Sequence, residues 1–129
     1  MVIRVASMVL TLAGVLALLS GLLFWLGWAL QLMSLHMLLG LLAVAALWTI
    51  GFAQAGAPGG SWLLAACALI VGVLTLLLGF YQAALLIGPF HWIVEVAHLA
   101  LGVATIGLGH MGAARLRRAG SLGRAEDRG

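Results

Sequence analysis

The 129-residue chain is 65% hydrophobic and 7% charged, with a formal net charge of +3. A soluble domain carries roughly 25% charged residues, and a disordered one has few apolar side chains, so both classes are excluded. A single cysteine, Cys67, excludes an internal disulfide framework.

The first apolar run covers residues 5–30, and its only polar members are Ser7, Thr11 and Ser20. A membrane-crossing helix needs about 20 apolar residues. A secretory signal core is roughly 7–15 residues, so this run reads as a retained span. Gln31 to Ser34 interrupts it, with Ser34 placed to cap a second span over residues 35–52. The tight connection makes the first two helices antiparallel neighbours. Gln54-Ala55-Gly56-Ala57-Pro58-Gly59-Gly60 is the clearest loop, and Ser61 then caps a third run over residues 62–87. Gly88-Pro89 turns the chain into a fourth run, residues 90–111.

The expected fold is all-α: an integral-membrane, up-down four-helix bundle over residues 1–112. A basic cytoplasmic tail, residues 113–129, is expected to lose regular structure after one frayed turn. Arg4 precedes the first span, while Arg115, Arg117, Arg118, Arg124 and Arg128 follow the last. The connections between spans one and two, and three and four, carry no Lys or Arg. The positive-inside rule then puts both termini in the cytoplasm, in the inner (plasma) membrane of the cell. Trp25, Trp28 and Trp92 fall near the outer interface on this reading, and Trp48 and Trp62 near the inner one. The terminal charges suit topology and lipid headgroups, not nucleic acid. Small residues recur along three spans: Gly14, Ala17 and Gly21; Gly72 and Gly79; Gly102, Thr105 and Gly109. They permit close helix packing or leave room for a flat cofactor.

Four histidines and Glu95 are almost the only titratable groups in the apolar part. His36 lies about one turn inside the outer end of the second helix, and His98 about two turns inside that of the fourth. Those helices are diagonal partners in an up-down bundle. Two histidines facing across the core can supply both axial nitrogens to a haem iron. Each begins a His-x-x-x-Gly pattern, His36 to Gly40 and His98 to Gly102, which sets a small residue one turn deeper on the same face. The competing reading of His36 is a hydrogen bond to a neighbouring helix.

Glu95 is the only carboxylate between the chain ends, and acidic groups inside spans usually face a bundle interior or a wet cavity. His91, Glu95 and His98 share one helical stripe. Glu95 can tune a haem site, relay protons, or sit neutral in hydrogen bonds. Glu95-x-x-His98 has di-iron spacing, but such sites need several carboxylates. A single zinc on His91, Glu95 and His98 is the other metal reading. His91 reads as an interfacial group or a partner for haem propionates. No Cys-x-x-Cys-His motif is present, so any haem is non-covalent haem b.

The four spans with His36 and His98 near the outer ends of the second and fourth resemble one half of the haem A synthase family. That resemblance implies a four-helix bundle with haem ligation at these two positions. The second half and the long outer loop of that family are missing here, so the synthase reaction is not carried over. A homodimer would restore a second half. The leading expectation is therefore a small membrane haem-b protein or subunit, with His36 and His98 as iron ligands and Gly40, Gly102, Glu95 and His91 around the cofactor, moving single electrons. Two other classes stay open: a cofactor-free accessory subunit of a larger membrane complex, and a small proton-coupled transporter using Glu95.

Overall fold

A computed structural model describes the backbone of residues 1–126 and the side chains of residues 1–121. Four helices follow in order: α1 (Val2–Trp25), α2 (Met33–Ala55), α3 (Trp62–Tyr81) and α4 (His91–Glu126). Single 3-10 turns, Leu30–Leu32 and Gln82–Ala84, sit in the first and third connections. The described residues contain no strand. All four helices are long and apolar enough to cross a membrane.

Several boundaries differ from the hydropathy reading, each for a local reason. The first run stays apolar to Leu30, but α1 stops at Trp25. Gly27 adopts φ 76°, its N–H donates to Phe24 O at 2.8 Å, and Trp28 N–H donates to Leu23 O at 2.9 Å. This is a glycine-terminated Schellman stop, which hydropathy does not register. Ser34 is not the cap of α2: the helix begins at Met33, after Leu32, with no side-chain cap. Ser61 does cap α3, its Oγ accepting from the Leu64 N–H at 3.2 Å. The third helix ends at Tyr81, short of residue 87, and positive φ at Leu86 and Gly88 turns the chain toward α4. Past residue 111, α4 continues to Glu126, so the expected fraying after one turn is not seen. Good helix formers, Ala113 to Ala119 with three arginines, sustain it. Asp127 and Arg128 lie outside the described residues, as do the side chains of Arg124 and Glu126.

Consecutive helices pack side by side, and α4 closes back on α1. Across the bundle, α2 and α4 touch while α1 and α3 scarcely meet, so the cross-section is a rhombus with α2 and α4 on its short diagonal. Packing is densest at the end carrying the two termini. Leu10, Leu47 and Ile50 are fully buried there, surrounded by Ala6, Ala46, Ala68 and Ala113. Small residues on facing helices bring the backbones close, the usual basis of helix association in an apolar solvent. Buried Gln54 fastens the loop at this end. Its amide donates to Ser61 O at 2.7 Å and to Gly51 O at 3.1 Å, and its Oε1 accepts from Ser61 N–H at 3.2 Å. Trp48, placed near the inner interface by the sequence, packs over Gly72 and donates to Ala68 O at 3.2 Å. At the opposite end the four helices separate around a cavity.

Candidate functional site

The cavity has a volume of about 350 Å³ and draws its walls from all four helices. Apolar helix faces build most of it, with polar groups at a few places only. Its floor is a buried hydroxyl pair, Thr75 on α3 and Thr105 on α4, with oxygens 3.2 Å apart. His36 and His98 enter from opposite sides, on α2 and α4. Their ring centroids are 6.2 Å apart and their planes inclined by 60°. The two histidines therefore face each other, as the diagonal argument expects, and the short α2–α4 diagonal is what brings them together.

Each ring rests on a glycine of the neighbouring helix. A Cβ built on Gly21 of α1 would stand 3.3 Å from His36 Cε1, and one on Gly79 of α3 would stand 3.2 Å from His98 Cε1. Phe24 of α1 meets the His36 ring edge-on, with centroids 5.2 Å apart. His36 Nδ1 lies 2.9 Å from Ser20 Oγ. By contrast, His98 Nδ1 is buried and has no hydrogen-bond partner. A buried, unpaired imidazole nitrogen is costly.

The remaining expected residues also line the cavity, in different ways. Gly40 faces open space. Gly102 is covered by Leu18 of α1, 3.1 Å from where its Cβ would be. Gly14 likewise makes room for Ile106 rather than for a ligand. Glu95 is half-buried in the cavity wall and forms no hydrogen bond or ion pair among the described residues. His91 sits nearer the rim, its Nδ1–H donating to Leu85 O at 3.0 Å. No three His, Cys, Asp or Glu side chains converge on one point among the described residues, so neither the zinc set of His91, Glu95 and His98 nor a di-iron site is assembled. His110 stands apart, at the end carrying the termini, with Nε2 3.3 Å from Thr11 Oγ1.

The ring spacing, taken alone, matches that of two imidazoles on one metal ion. Two imidazoles that each bonded one metal ion at about 2 Å would leave their centroids about 6 Å apart. Gly40 and the largely apolar walls leave room for a flat, hydrophobic ring.

Sequence reasoning missed Ser20 as a partner of His36, Phe24 as its neighbour, and the seating of the two rings on Gly21 and Gly79. The only signal was Ser20-Gly21, a hydroxyl beside a glycine in an otherwise apolar helix. Comparison with protein-family models, curated proteins and solved structures finds no match for this chain.

Proposed function

We propose that this chain is a small membrane protein that binds haem b between His36 and His98 and passes single electrons. The observation that carries the reading is the pair of facing imidazoles, 6.2 Å apart, inside a cavity of about 350 Å³. When bound, haem supplies a one-electron iron couple whose potential responds to axial ligands and surrounding polarity.

The chain's own residues do the rest. His36 and His98 hold the group from two helices, and Gly21 and Gly79 set how far each ring swings. The largely apolar walls would strengthen any charge interaction inside by lowering the local dielectric. Besides His98 and Thr105, Glu95 and His91 are the polar groups on the α4 wall, available to the cofactor's edge. Between 17% and 33% of each candidate span is buried within the bundle, which leaves most apolar side chains facing outward. A lipid bilayer satisfies that surface, and the arginine distribution favours both termini in the cytoplasm.

The test is absorption spectroscopy of detergent-purified protein expressed with haem supply. A sharp reduced α-band, lost or converted to a high-spin form in both His36→Ala and His98→Ala, is the expected result. A folded, colourless protein that takes up no added haem overturns the proposal.

A further inference from the structure

The two histidines are not equivalent, and the difference lies in one hydroxyl. Ser20 Oγ is 2.9 Å from Leu16 O, 3.0 Å from Ala17 O and 2.9 Å from His36 Nδ1. Backbone carbonyls only accept, and the single hydroxyl proton of Ser20 has two carbonyl oxygens and one ring nitrogen within reach. When that proton serves a carbonyl, the oxygen is left to accept, and the His36 nitrogen facing it is the donor. In that arrangement His36 is the Nδ1–H tautomer, with Nε2 carrying the free lone pair. Hydrogen bonding at one ring nitrogen sets what the other can do.

On the other side of the cavity the corresponding help is missing. The glycine under His36 is preceded by Ser20, whereas the glycine under His98 is preceded by Leu78. Leu78 offers no acceptor, and His98 Nδ1 is left without a partner.

We propose that Ser20 is a positioning residue: it fixes the tautomer and orientation of His36, making His36 the firmly held ligand of the pair. This rests on the haem reading for its purpose but not for its geometry. Anchoring the far nitrogen of a metal-binding histidine typically changes affinity 10–100-fold.

The deciding experiment reads the full-length, haem-free protein in detergent by nitrogen NMR of labelled histidine, with the His36 signals assigned by their loss in His36→Ala. Wild type is expected to show His36 as the Nδ1–H tautomer alone. Ser20→Ala is expected to give a mixture, and Ser20→Thr, which keeps the hydroxyl, to restore the single form. An Nε2–H tautomer in wild type, or one unchanged tautomer in Ser20→Ala, overturns the proposal.

Haem titration supplies the second measurement. Ser20→Ala should bind haem about 10–100-fold more weakly, Ser20→Thr nearly as well as wild type, and Ser20→Ala should add nothing once His36 is alanine. Equal affinity in Ser20→Ala and wild type overturns the proposal. Failure of wild type to take up haem counts against the function alone, because the tautomer measurement still decides the role of Ser20.

Discussion

His36 and His98 meet with ring centroids 6.2 Å apart, although one lies about a turn into α2 and the other about two turns into α4. Their meeting depends on the short diagonal between α2 and α4, and on two glycines that let the rings lie against α1 and α3. The same contacts set what small changes at the cavity should do.

Alanine at Gly21 or Gly79 puts a Cβ 3.3 or 3.2 Å from a histidine Cε1, tighter than ordinary contact. Each ring must shift by a few tenths of an ångström. Overpacking costs on the order of 1–3 kcal/mol where the neighbour cannot move, and the helix-propensity gain of alanine, up to about 1 kcal/mol, offsets part of it. The expected outcome is a folded protein with an altered haem spectrum and reduced haem affinity. Gly107→Ala on α4 is the control, because its Cβ meets nothing within 4 Å and it does not line the cavity. It should keep the spectrum and gain up to about 1 kcal/mol from helix propensity. Absorption spectra and unfolding in mixed micelles check all three.

Glu95 lines the cavity wall without a partner among the described residues. With the proposed haem bound, an ionised carboxylate there would stabilise the more positive, oxidised iron. Glu95→Gln removes the charge and keeps the shape, so the midpoint potential should rise while the low-spin spectrum stays. Potentiometric titration against wild type reads the shift, and an unchanged potential counts against a place for Glu95 beside the cofactor.

The Thr75–Thr105 contact, 3.2 Å, ties α3 to α4 below the histidines. Thr75 also donates to Val71 O at 2.7 Å, so it keeps a partner if Thr105 is changed. Thr105→Val should therefore cost only about 0.6 kcal/mol, the typical value for hydrogen bonds between helices in lipid. Equilibrium unfolding of the two proteins in parallel measures it, and a loss several times larger would show that the pair does more than join the helices.

Gln54 is fully buried and bonds both backbone groups of Ser61. Gln54→Leu leaves the Ser61 N–H and O without those bonds, at about 1–3 kcal/mol. Amide exchange should rise at the α2–α3 loop before it rises anywhere around the cavity. Haem binding should survive, since the loop lies at the opposite end of the bundle.

Length and hydropathy made four helices legible, because a long charge-free apolar run has few other stable forms. Local chemistry made Ser61 legible as a cap and 54–60 as a loop, since hydroxyls, glycine and proline act on their immediate neighbours. The same locality misled at Ser34, where the chain enters α2 through a 3-10 turn and needs no side-chain cap. It misled again at Gly27, where a backbone stop ends the helix while the side chains remain apolar.

The sequence by itself determined the helical class, the residue types available for chemistry, and the end of the bundle where His36, His91, Glu95 and His98 gather. Only the tertiary structure decided that α2 and α4 take the short diagonal, that Gly21 and Gly79 seat the two rings, and that Ser20 reaches one histidine while nothing reaches the other. The physical reason is that these helices are apolar almost all round. Such a helix carries no strong amphipathic stripe to announce its inward face. Its rotation is set by glycine and hydroxyl contacts between helices, and those exist only once the helices are packed.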